Sequence, residues 1–174
     1  LSEVAKLKLQ IAEAEKAVQD KIDKLMAIQG KRSVDSIHKE LGLIMWDFVG
    51  MGRTAEGLKE GIKRIDAIKK EFWTNVYIPG TADHLNNELE KALRLADFIE
   101  IGRLMAVDAL HREESCGGHF REEYQTPEGE ALRQDDKFSY VGCWKYMGED
   151  QEPQLIKEPL DYEFTERKTR NYKN

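Results

Sequence analysis

Along the first two thirds of the chain, apolar residues recur at intervals of three and four, the spacing that collects them on one face of an α-helix. Val4, Leu7, Ile11, Ala14, Val18, Ile22 and Leu25 make one such stripe within residues 1–29, and Glu3, Lys6, Glu13, Lys16 and Asp20 fill the other faces. Gly30 is the predicted stop, because glycine takes the left-handed conformation that closes a helix. A second stripe runs through Ile37, Leu41, Ile44, Met45 and Phe48, with Ser33 or Asp35 as its cap. The segment Gly50-Met51-Gly52-Arg53-Thr54 breaks that helix, and Thr54 caps a third, which carries Leu58, Ile62, Ile65, Phe72 and Val76. Pro79-Gly80 marks a turn, after which Asp83 is the expected cap of a fourth helix reaching about Arg112. This last helix is apolar on nearly all sides between Leu93 and Leu110, which predicts a central element surrounded by the others.

Beyond Ser115 the pattern changes. Gly117 and Gly118 end the helical periodicity, Thr126-Pro127-Glu128-Gly129 is turn-like, and residues 138–146 are rich in aromatic and β-branched side chains, which predicts a strand. Leu155, Ile156, Leu160, Tyr162 and Phe164 suit extended packing, and the run from Glu166 to Arg170 reads as a solvated tail. The predicted fold is therefore mainly α. A bundle of three to four helices with a long central helix fills residues 1–125, and an irregular carboxy-terminal extension, 126–174, holds one short β-strand and the charged tail.

Composition narrows the classes of partner. Of 174 residues, 40% are hydrophobic, enough for a core, and the formal net charge of -6 argues against nucleic acid, which is bound by clustered Lys and Arg. The most apolar stretch, Ala92 to Leu110, is interrupted by Arg94, Asp97, Glu100, Arg103 and Asp108, whereas a membrane span takes about 20 apolar residues, so no direct membrane insertion is expected. Two cysteines, Cys116 and Cys143, suggest reduced thiols and a cytoplasmic setting. The chain opens at Leu1 in a pattern that is already helical, so a longer polypeptide is expected.

The most distinctive segment is His111-Arg112-Glu113-Glu114-Ser115-Cys116-Gly117-Gly118-His119-Phe120-Arg121. It resembles the R-x-E-S-R-G-x-H-x-R segment of succinate dehydrogenase and fumarate reductase flavoproteins, shared in part by L-aspartate oxidase. Arg112, Glu114, Ser115, Gly117, His119 and Arg121 match, and Cys116 stands where the family has arginine. Two more segments carry the likeness. Met45-Trp46-Asp47-Phe48-Val49-Gly50-Met51-Gly52-Arg53-Thr54, followed by Glu56-Gly57-Leu58, resembles the family's M-W-x-x-V-G-x-x-R-x-x-x-G-L junction, and Asp135-Asp136-Lys137-Phe138 resembles its R-D-D-x-x-F strand entry. The resemblance implies the carboxy-terminal helical domain of the flavoprotein subunit, without catalytic, cofactor or metal ligands of its own. It further implies FAD, covalently held in an upstream domain of the same polypeptide, and hydride transfer between succinate and fumarate. An iron–sulphur subunit is the implied electron partner, with the complex peripheral on the inner face of the membrane. Arg112, Glu114, Ser115, Cys116, Gly117, His119 and Arg121 are then a domain-interface motif.

Other readings of the same residues are weaker. His111, Glu114, Cys116 and His119 are metal-ligand types, but H-x2-E-x-C-x2-H fits no standard zinc spacing. Cys116 with His119 pairs a nucleophile with a base, yet no third group orients the histidine and two nearby carboxylates keep the thiol protonated. Arg112 and Arg121 suit a dicarboxylate, although an ion pair at a domain interface is the simpler reading. Trp46, Phe48, Phe72, Trp73 and Phe98 read as core or interface, and an exposed apolar patch is expected where the rest of the subunit is missing. A free-standing helical interaction module and the corresponding domain of L-aspartate oxidase are the alternatives.

Overall fold

The four apolar stripes fold as four long helices in a computed structural model that describes residues 3–148 and 150–168. They are α1 (Glu3–Ala27), α2 (Val34–Val49), α3 (Ala55–Asn75) and α4 (Asn87–His111), joined by two-residue strands β1 (Arg32–Ser33), β2 (Gly52–Arg53) and β3 (Val76–Tyr77). After α4 come β4 (Phe120–Arg121), the single-turn α5 (Asp135–Phe138) and the hairpin strands β5 (Tyr140–Lys145) and β6 (Gln154–Pro159). The predicted mainly α class is what the structure shows. The chain divides into two compact units, 1–46 with 62–103 and 47–61 with 104–174, so the boundaries fall inside α2, α3 and α4.

In the first unit, Leu25, Val34, Ile37, Leu41, Ile65, Phe72, Val76, Ala92, Leu95 and Ile99 are buried. Burial of side chains this size, at about 1.5–3 kcal/mol each for the larger ones, dominates the stability of this unit. Gly102 lets α4 approach α2, because a Cβ there would lie 3.1 Å from the Met45 sulphur. Parallel pairing of β1 with β3, Arg32 opposite Val76, ties the end of α3 to the start of α2. Arg32 extends that tie by donating to both oxygens of Glu71 at 3.0 Å and to Glu40 at 2.8 Å. Phe72 is fully buried, while its neighbour Trp73 stands edge-on to it, half-buried under the Lys24 ammonium.

Three of the sequence expectations need adjustment here, the first being that Gly30 is not left-handed and lies beyond the end of α1 at Ala27. The α1 stripe enters the core only at its end: Leu25 is fully buried, but Val4, Leu7, Ile11 and Val18 are 56–62% exposed. The predicted cap of α4, Asp83, lies outside the helix, and the capping role belongs to Asn86. The Asn86 side-chain oxygen accepts from the N–H groups of Glu88 (3.0 Å) and Leu89 (3.1 Å), while its amide donates to Pro79 and Thr81 carbonyls. Asn86→Ala is expected to cost about 1–2 kcal/mol, read as a lower urea midpoint, whereas Asp83→Ala should leave the midpoint unchanged. The other two expected caps are in place, with Ser33 accepting from Ser36 and Thr54 accepting from Gly57.

In the second unit, Val49, Leu58, Ala106, Ala109 and Phe138 are buried. A Cβ on Gly61 would come within 2.9 Å of Phe48, so glycine allows α3 to pass the end of α2. The predicted strand at 138–146 is narrower, at Tyr140–Lys145, because Phe138 closes α5. It pairs antiparallel with β6, Tyr140 opposite Pro159 and Lys145 opposite Gln154, a partner that the sequence pattern left as extended chain. Trp144 donates its indole N–H to Asp108 at 2.7 Å, which pins the hairpin to the last turns of α4. Residues 169–174, part of the expected charged tail, lie outside the described residues.

Candidate functional site

Apart from Met45 and Trp46, which belong to the first unit, the second unit brings the three distinctive segments of the sequence to one place. The glycine-rich junction after α2 forms β2, and β2 pairs in parallel with β4, with Gly52 opposite Phe120 and Arg53 opposite Arg121. Between α4 and β4 the chain reverses at Cys116–His119, whose backbones exchange hydrogen bonds of 2.8 and 3.1 Å. Gly117 takes φ +59 there, a left-handed value that favours glycine. A Cβ on either Gly117 or Gly118 would meet nothing within 4 Å, so the tip of this turn is bare. The third segment, Asp135–Phe138, is tied in by Arg112, which donates to the Phe138 carbonyl, and by the preceding Gln134, whose backbone N–H donates to Glu114 at 2.8 Å.

Each motif side chain has a definite partner. Glu114, buried, accepts from Arg112 at 2.8 Å as well as from Gln134, and Arg112 also donates to the Phe138 carbonyl at 3.2 Å. Ser115, fully buried, accepts from the Arg121 N–H at 2.9 Å and donates to the Arg121 carbonyl at 3.1 Å, which staples the turn shut. Arg121 is 2% exposed and donates to the carbonyls of Ala109 (3.0 Å) and Leu110 (3.2 Å). Those carbonyls lie in the last turn of α4, where helix geometry leaves C=O groups without intrahelical donors and where positive charge is favoured. Arg121 also pairs with Glu123 at 3.2 Å and lies over the Tyr124 ring.

Glu123 in turn accepts from the Ala55 N–H at the start of α3. Burial raises its pKa, but the backbone N–H donors and Arg121 outweigh that and hold it below the usual carboxylate range. His119 bridges Arg53 and Arg112: its Nδ1 lies 2.8 Å from an Arg53 nitrogen, and its Nε2 lies 2.8 Å from the Arg112 carbonyl. A guanidinium only donates and a carbonyl only accepts, so His119 must be the neutral tautomer protonated at Nε2. Burial foremost, then the cations Arg53, Arg112 and Arg121, push its pKa down against the raising effect of the Arg112 carbonyl.

These bonds limit the chemistry. Both nitrogens of His119 are engaged, so the ring has no lone pair for a Cys116 proton. Arg121 spends its guanidinium inside the fold and offers no fork to a dicarboxylate. Among the described residues no group of three His, Cys, Asp or Glu is placed to hold a metal ion. His111 instead meets the Tyr140 hydroxyl at 2.9 Å and lies edge-on to Trp144. Both cysteines are free thiols, Cys116 half-buried and Cys143 exposed. The Gly50–Gly52 junction does not fit a dinucleotide turn, because Gly52 is held in β2 and the Gly50 carbonyl accepts from Arg53 at 2.8 Å. Arg53 and Glu123 are the residues that a reading of the 112–121 motif alone would miss. The sole sequence signal for Arg53 is its place in the M-W-x-x-V-G-x-x-R junction.

Comparison with known proteins gives these segments their context. The family described as "Fumarate reductase flavoprotein C-term" matches residues 38–172. An uncharacterized FAD-dependent oxidoreductase of Methanocaldococcus jannaschii is 30% identical over 112 residues, 64% of this chain and 20% of its own length. The fumarate reductase flavoprotein subunit of Helicobacter pylori is 29% identical over 148 residues, 84% of this chain and 20% of its own. L-aspartate oxidases match over a shorter stretch, about half of this chain. A chain of a mutant E. coli quinol fumarate reductase superposes with a TM-score of 0.76 at 25% identity, covering 90% of this chain and 26% of its own. The chain thus spans about a fifth of the length of these curated relatives.

Proposed function

Because the chain belongs to the family of fumarate reductase flavoprotein carboxy-terminal domains, we propose that it is the closing helical domain of a flavoprotein subunit and braces an upstream FAD domain. The single observation that carries this reading is the convergence of the three motif segments in a family match spanning 38–172. In this role the network behind the turn makes a rigid base, and the bare Gly117–Gly118 tip is the part of the interface motif that faces outward. Trp46, 81% exposed, and Met51, 90% exposed, are apolar side chains of the first motif left in solvent, and they are proposed as further contacts for the FAD domain.

The parent protein, on this reading, interconverts succinate and fumarate. FAD supplies the hydride acceptor for succinate and, once reduced, the hydride donor for fumarate, and the residues of this chain bind, brace and exclude water at the domain interface without touching the reacting atoms. Electrons are exchanged with an iron–sulphur subunit, and the complex sits peripherally on the inner face of a membrane. No helix of the described residues is long and apolar enough to cross one. The second reading, L-aspartate oxidase, has shorter matches in its favour. Assay of the full polypeptide separates the two: viologen-linked fumarate reduction without aspartate-dependent peroxide formation is expected. Peroxide formation from aspartate with no fumarate reduction would replace the proposal by the second reading.

A further inference from the structure

We propose that the His119 ring is a pH-sensitive clasp, closed when neutral and opened by protonation, that fixes the β2–β4 pairing and the Cys116–His119 turn with its exposed glycine tip. The argument is stereochemical. His119 accepts from Arg53 at one nitrogen and donates to the Arg112 carbonyl at the other, both at 2.8 Å. An imidazolium has two donors and no acceptor, so protonation replaces the Arg53 bond with two cations in contact. Arg53 keeps its hydrogen bonds to the carbonyls of Val49 and Gly50, which hold its base in place. The ring must therefore be the part that moves, and it carries the turn with it.

The surroundings favour the closed, neutral state. Burial does most of this, against the raising effect of the Arg112 carbonyl, and the ring also faces the cations Arg53 from β2, Arg112 from just after α4 and Arg121 from β4. Carboxylates nearby are already committed: Glu114 to Arg112, Glu123 to Arg121, and Asp108 to the Trp144 indole. Cys116 lies across the turn, joined to His119 through the backbone. A histidine whose folded pKa is depressed gives its full stabilisation above the unfolded value, about 6.5. That stabilisation is lost as pH falls below 6.5 toward the folded value, where the loss levels off. The clasp therefore loosens on acidification, in the range where few other side chains titrate.

Hydrogen exchange by mass spectrometry on the full chain tests this between pH 7.5 and 5.5, after correction for intrinsic exchange. Amides of Cys116, His119 and Glu122 report directly, since they donate across the turn and across β2–β4. Wild type should lose protection there several-fold on acidification, while His119→Gln, which has an acceptor and a donor but does not titrate, should stay level. Arg53→Met, which removes both the closing bond and the cation that protonation would oppose, should lower protection at pH 7.5 and abolish the pH-dependent step. Equal loss in wild type and His119→Gln, no loss in wild type, or a pH step in Arg53→Met as large as in wild type would each overturn the clasp.

Discussion

Arg121→Ala is expected to destabilise the chain by about 3–5 kcal/mol, measured by urea unfolding. Arg121 is the largest of the fully buried side chains, so truncation leaves a cavity and removes its donors at once. The carbonyls of Ala109 and Leu110 lose their partners in a buried setting, each at about 1–3 kcal/mol. Glu123 is 39% exposed and rehydrates more cheaply, so it adds little. Arg121→Met separates the two causes, because it fills most of the volume but donates nothing. Its stability should fall between wild type and Arg121→Ala. A loss under about 1 kcal/mol in Arg121→Ala would show that capping by this arginine is dispensable.

The second large effect lies in the first unit. Gly30→Ala should cost about 3 kcal/mol, the upper part of the range for overpacking. A Cβ on Gly30 would lie 1.9 Å from the Asn75 carbonyl oxygen and 2.0 Å from its carbon, so backbone rather than a flexible side chain has to move. The hydrogen bonds from Gly30 to Val76 and from Lys31 to Asn75 would part, and with them the β1–β3 pairing. Gly42→Ala is the control. Its Cβ meets nothing within 4 Å inside α2, and it should stabilise by about 0.5–1 kcal/mol through the better helix propensity of alanine. Equal unfolding midpoints for the two variants would contradict the packing described at Gly30.

What the sequence made legible follows from the range of each signal. Helical stripes are local, so α1 to α4 and the caps Ser33 and Thr54 could be read directly. Asp83 was a reasonable cap by type, but Asn86 is the Asx residue immediately before the helix, and its amide also satisfies the loop carbonyls. The α1 stripe predicted a helix correctly, yet periodicity does not say what covers an apolar face, and most of this one is exposed. Strand β6 shows no alternation, because Leu155 and Ile156 are adjacent and are followed by Lys157, Glu158 and Pro159, and its side chains are mostly exposed. Two-residue strands such as β2 and β4 carry no period at all.

The site was legible only through family resemblance. Arg53 and His119 are 66 positions apart, and no local pattern joins them. The resemblance flagged both motifs as belonging together, but it did not reveal that Arg112, Glu114, Ser115 and Arg121 bond within the domain. Charged residues are rarely fully buried unless paired, so an interface was the default reading for Arg112 and Arg121. The reason for the burial of Arg121 is the need of the last α4 carbonyls for donors, which becomes visible only once the chain has turned back.

The central claim, that this domain packs against and braces an FAD domain, is tested most directly by hydroxyl-radical footprinting of Trp46 and Met51. These side chains are 81% and 90% exposed in this chain. Their oxidation rates should be high in the isolated chain and fall several-fold in the full, FAD-loaded polypeptide. Equal rates in the two forms would contradict the account and leave the helical domain without the partner proposed for it.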